Sequence, residues 1–169
     1  MQKYFAKDYP GEPFHLFAPS HLAALVAVIL LNLSFSFLRG AAPADLAFVR
    51  YTLAAIILLN ELAWHLWHLA TRQWTPQTML PLHLCSVMVY LSAFTLMTRQ
   101  AAAYELLYFM GIGAASQALL TPDLGPYGFP HFRYWQTFIS HGLLVSGPIY
   151  LTVVEGFRPV TANVLMSAV

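Results

Sequence analysis

A single cysteine, Cys85, is the only thiol in the chain. One cysteine can form no internal disulfide and supplies no cysteine cluster for zinc. Charge is scarce too. Charged residues make up 9% of the sequence and hydrophobic residues 59%, whereas soluble domains carry roughly 25% charged residues. A water-soluble fold of 169 residues could not cover its surface with so few charges. The net charge is +1 and no basic run occurs, which removes nucleic acid as a partner. The opening residues, MQKYFAKDYPGEPFHLF, are polar and broken by proline, and do not read as a usual signal peptide.

What the chain has instead is long apolar runs. A membrane helix needs about 20 mostly apolar residues, and stretches at about 19–38, 48–69, 79–98, 102–120 and 132–154 qualify. The expected fold is all-α: a polytopic α-helical membrane bundle forming one domain, with five full transmembrane helices. The last ten residues, 160–169, read as the start of a sixth helix. As a helix they rise only about 15 Å, half the hydrocarbon core, so the sequence is expected to be a fragment or to continue.

Let side A be the membrane face from which helix one departs. Lys3, Lys7, Arg72 and Arg133 then fall on side A, and Arg39, Arg50, Arg99 and Arg158 on side B. With basic residues evenly split, the positive-inside rule gives no orientation. The histidines are not evenly split. His15, His21, His65, His68, His83, His131 and His141 all fall in the side A half, together with Cys85, Gln117 and Asp123. Ionisable groups within a bilayer are costly and tend to mark a site or a pathway. Histidines at helix ends can simply favour the interface, but that reading fits poorly for His141, about nine residues into helix five, and for Glu61, midway along helix two.

The stretch 79–90, MLPLHLCSVMVY, focuses the question. Pro81 suits the first turn of a helix, because its missing N–H costs nothing there. Cys85 then lies about six residues in, or ~9 Å deep, and His141 about 14 Å into its own helix from the same side. If those helices are neighbours, the two residues meet at similar depth. His83 points about 200° away from Cys85 and is better placed to brace a neighbour or face the headgroups. The thiolate is the reactive form of cysteine, and a histidine in hydrogen-bond reach would be its activating base. The alternative is that Cys85 is a small apolar filler.

Other groupings carry less. Glu61, His65 and His68 share a helical stripe that could ligate a metal or make a hydrogen-bonded helix contact, and the contact is favoured. No metal or other cofactor is expected. Gly111, Gly113, Ala114, Ala115 and Ser116 give helix four a small-residue face. Gly147-Pro148 is expected to kink or loosen helix five. Asp123 sits in the turn sequence TPDLGP, which could cap a site from outside.

The series Glu61-Leu62-Ala63-Trp64-His65, LPLHLC (80–85), YFMGIGAASQALLTPDL (108–124), Phe129-Pro130, His141 and GFRP (156–159) resembles the YwaF family of bacterial integral membrane proteins. Eukaryotic relatives, called transmembrane protein 164, look similar in the same places. The likeness runs from about residue 14 to 159, and LPLHLC and QALLTPDL are its specific parts. It implies an acyltransferase that moves fatty acyl chains between phospholipids and lysolipids. By motif, the catalytic residues would be Cys85 and His141, and the membrane that of the bacterial cytoplasm. The expected partners are membrane lipids, with a lysolipid or water as acceptor. His83, Glu61, His65, Gln117, Asp123 and His21 are candidates for supporting or substrate-binding roles, among them oxyanion stabilisation by Gln117 or His83 and orientation of a histidine by Asp123 or Glu61. Two rival readings stand beside it. One is a small-molecule carrier or transport subunit with a polar pocket on one side. The other is a haem protein using His83 and His141 as axial ligands.

Overall fold

The computed structural model describes residues 2–80 and 84–159. Its described residues are helical or loop, without strands. Helix α1 spans Pro19–Ser34 and continues as a 3-10 turn, Phe35–Leu38. Helix α2 spans Pro43–Ala70 and α3 spans Leu84–Thr98. Helix α4 covers 101–120, with a π-helical turn, Leu107–Gly111, between Ala101–Leu106 and Ile112–Leu120. Helix α5 spans Phe132–Val153.

One sequence-based boundary shifts. Helix α2 begins at Pro43 rather than near residue 48, because proline fits the first helical position and the run after it stays helix-compatible. Helix α3 is described from Leu84, Leu80 is extended, and residues 81–83 between them lie outside the described residues. Helix α5 runs unbroken through Gly147 and Pro148. Gly147 serves packing instead: a Cβ there would stand 3.0 Å from Ser92 Oγ of α3. Within the small-residue face expected on α4, Gly111 makes a close approach, with its absent Cβ 3.2 Å from the Leu144 carbonyl, whereas Gly113 faces open space. The expected start of a sixth helix, residues 160–169, and His83 lie outside the described residues.

Helix α5 is the centre of the bundle and packs against the other four. Hydrogen bonds fix the direction of each neighbour. Tyr134, early in α5, donates to the Ser20 carbonyl early in α1, and Asn32, late in α1, donates to Ser146 late in α5. Those helices run parallel. Asn60, late in α2, donates to the Gln136 carbonyl, and Tyr150 donates to the Leu46 carbonyl, so α2 runs antiparallel to α5. Tyr104, early in α4, pairs with Thr152, late in α5, at 2.8 Å. The chain alternates up and down, and the side A ends of α2, α3, α4 and α5 gather at one pole.

The outward faces are apolar. Val26, Ile29, Leu30 and Leu33 on α1 and Leu59, Leu62 and Leu66 on α2 are all exposed. Pro19–Leu38 and Pro43–Ala70 are long and apolar enough to cross a membrane, and only 11% of the first is buried. A soluble monomer rarely leaves so continuous an apolar surface open.

Candidate functional site

At the side A pole a cavity of about 390 Å³ opens between α2, α3, α4 and α5. Helix α3 contributes Cys85, Ser86 and Val89, and α2 contributes Glu61 and Trp64. The end of α4 and the loop after it supply Ala118, Thr121, Pro122 and Asp123. Helix α5 supplies Arg133, Gln136, Thr137, Ser140 and His141. Positions 133, 137, 140 and 141 recur at helical spacing, so one stripe of α5 carries these four side chains to the cavity. That stripe is legible in the sequence as Arg-x-x-x-Thr-x-x-Ser-His inside an apolar helix.

The structure brings Cys85 and His141 to the walls of one cavity from helices more than fifty residues apart in sequence. Cys85 is exposed and free. His141 is half-buried, and its Nδ1 lies 2.9 Å from the Thr137 carbonyl oxygen. A carbonyl can only accept, so Nδ1 carries the hydrogen and Nε2 holds the lone pair of the neutral ring. That is the tautomer a general base needs.

Glu61 and Asp123 line the same cavity. Glu61 is buried, with a carboxylate oxygen 3.5 Å from His65 Nε2 one turn on. His65 Nδ1 accepts from the Trp74 indole at 3.2 Å, which leaves Nε2 as the N–H facing Glu61. The Glu61–His65 pair is therefore a hydrogen-bonded brace. His68 donates through Nδ1 to the Trp64 carbonyl at 3.0 Å. Among the described residues no group of three His, Cys, Asp or Glu side chains could hold a metal ion.

Two sequence candidates sit elsewhere. Gln117 is exposed on α4 and does not line the cavity, because the small face of α4 rather than its polar residue turns toward α5. His21 is fully buried, away from the cavity. Its Nδ1 accepts from the Phe17 N–H at 3.0 Å and its Nε2 donates to the Leu119 carbonyl at 2.8 Å. With both nitrogens committed to backbone, His21 ties the start of α1 to the end of α4.

Arg133 and Trp64 escaped the sequence reading as site residues. The Arg133 guanidinium lies 3.8 Å from the Trp64 ring centroid and donates to Gln136 Oε1 at 2.7 Å. The N-terminal segment is strapped down by three bonds. The Trp67 indole donates to the Phe5 carbonyl, Tyr127 to the Lys7 carbonyl, and His131 Nε2 to the Ala6 carbonyl. His131 Nδ1 meanwhile accepts from the Arg133 N–H and so caps α5. Burial pushes the His131 imidazole below its ordinary pKa; the bond to Ala6 opposes this and the Arg133 charge reinforces it.

The profile of the TMEM164 family matches residues 16–169, and the chain belongs to that family. This bears out the kinship to transmembrane protein 164 read from the motifs; the YwaF likeness rests on the motifs alone. No curated protein and no solved structure matches the chain. Family membership and the two long apolar helices make it a membrane protein.

Proposed function

We propose that this TMEM164-family protein is a multi-pass membrane lipid acyltransferase, or lipid ester hydrolase, that works through a thioester on Cys85 with His141 as base. The observation that carries the reading is the shared cavity: the only cysteine of the chain and a histidine in the base tautomer line it together. The multi-pass arrangement is supported by five up-and-down helical stretches with apolar side chains on their outer faces. The resemblance to bacterial proteins favours the bacterial cytoplasmic membrane.

In the first half-reaction His141 Nε2 takes the thiol proton and the Cys85 thiolate attacks the acyl carbonyl of a lipid ester. The C–O bond breaks, the departing lysolipid oxygen takes the proton from His141, and the acyl chain stays as a thioester. In the second half-reaction His141 takes the proton of a lysolipid hydroxyl or of water. That oxygen attacks the thioester carbonyl, the C–S bond breaks, and the proton returns to sulfur. The oxyanion would be met by first-turn N–H groups of α3, where the helix dipole is most positive.

A carrier reading keeps one specific support: Glu61, Asp123 and Arg133 put both signs of charge around the cavity, as a zwitterionic solute would need. Intact mass of purified protein after incubation with mixed phospholipids separates the two. A fatty-acyl increment on the parent, absent in Cys85→Ala and diminished in His141→Ala, is expected. Folded protein with neither adduct nor lipid turnover would overturn the enzyme reading in favour of the carrier.

A further inference from the structure

We infer that Arg133 is the receptor for a phosphate group in the cavity, and that this is what sets the lipid in register with Cys85 and His141. The inference rests on the acyl-transfer reading for its purpose, but not for its geometry. Arg133 makes no ion pair among the described residues. Two carboxylates line the same cavity: Glu61 is engaged by His65, and Asp123 acts on Arg133 by its charge without coming within ion-pair distance. The partners of the Arg133 side chain are the Trp64 face and the neutral amide of Gln136. Among the described residues one of its five N–H donors makes a hydrogen bond. None of its nitrogens is sealed from solvent without a partner. Arg133 lines the cavity with its planar guanidinium stacked on the Trp64 indole. A stacked fork with free donors suits bidentate recognition of phosphate.

The placement fits a glycerophospholipid. Arg133 and His141 lie on one stripe of α5 and are separated by about 12 Å along the axis. A phosphate at Arg133 leaves the ester carbonyl, a few bonds away, free to reach the side of the cavity where Cys85 and His141 stand. Ser140 and Thr137 fill the stripe between them with hydroxyls.

Binding is measured on Cys85→Ala protein in detergent, where chemistry cannot proceed, with Trp fluorescence as readout. The probes are dioctanoyl phosphatidylglycerol, dioctanoylglycerol, which has the same chains and no phosphate, and inorganic phosphate. The phosphatidyl probe is expected to bind about ten-fold or more tightly than the diacylglycerol, and Arg133→Gln to abolish that difference while diacylglycerol binding persists. Arg133→Lys should restore part of the preference, since it keeps the charge and loses the fork. Retained diacylglycerol binding shows that the variants are folded. Competition by inorganic phosphate that disappears in Arg133→Gln supports the site and adds free phosphate as an occupant. An equal phosphatidyl preference in parent and Arg133→Gln overturns the inference, as does a parent with no preference. Either can occur while Cys85 still forms an acyl adduct, so failure here is distinct from failure of the acyl-transfer reading.

Discussion

His141 Nδ1 stands 2.9 Å from the carbonyl oxygen of Thr137, one turn earlier on the same helix. The contact costs the fold nothing, since helical backbone carbonyls accept a second bond readily, and it fixes which nitrogen is basic. Replacing His141 with Gln keeps a polar side chain of similar reach but supplies no base. Lipid turnover is expected to fall by about 10²–10⁴-fold with the melting temperature little changed. Turnover assayed beside a thermal melt checks both halves.

Cys85 is the only thiol and is exposed to the cavity. A maleimide should label the folded protein once per chain, and an acyl donor lipid should protect against it. Labelling should slow in His141→Ala, because the neighbouring base is gone. If phospholipid offers no protection, the thiol does not face the lipid site.

His21 joins α1 to α4 through two backbone bonds while fully buried. His21→Ala removes the acceptor of the Phe17 N–H and leaves the buried Leu119 carbonyl without this donor. It is expected to destabilise by about 2–4 kcal/mol, the sum expected for unsatisfied groups plus a cavity. Thermal melting in detergent reads this, and a melt equal to the parent would show the tie to be dispensable.

Glu155 links α5 to two arginines on side B, with Arg50 Nε 3.5 Å and Arg99 Nε 2.6 Å from its oxygens. Arg50 and Glu155 are both nearly sealed from solvent. Glu155→Gln leaves the Arg50 charge uncompensated, which typically costs about 3–5 kcal/mol. Chemical denaturation should show the loss, and Arg50→Met combined with Glu155→Gln should recover part of it.

His131 ties the N-terminal segment to α5 in its neutral form, with its pKa held below the ordinary value by burial. The unfolded chain takes up the proton first as pH falls. The contribution of His131 is therefore fully present above about pH 6.5 and is lost as pH drops from there through the lower folded value. Protonation also removes the Nδ1 lone pair that receives the Arg133 N–H. Limited proteolysis of residues 2–18 is expected to accelerate from pH 7.5 to 5.5 in the parent and to lose that pH dependence in His131→Asn.

Much of the architecture was open to sequence reasoning because it depends on local properties. Apolar length marked out helical stretches, and their alternation put every described histidine at one pole. Depth counting raised the meeting of Cys85 and His141 as an expectation, and both line one cavity. Facing is different. Gln117 looked equivalent to Asp123 on polarity, yet α4 turns Gln117 outward while the following loop brings Asp123 to the cavity. His21 looked like another member of the polar cluster until its two backbone partners, one of them ninety-eight positions away, were visible. Arg133 read as one more interfacial cation.

The sequence by itself determined that this chain is helical, apolar on its outside and polar at one end, because hydrophobic run length and residue type need no knowledge of neighbours. Only the tertiary structure decided which polar groups share a space. The packing of four helices around α5 brings Arg133, Thr137, Ser140 and His141 into one cavity with Cys85, and sets Arg133 against an indole and an amide. The rotation of each helix about its own axis is set by contacts distant in sequence, so no local pattern encodes it.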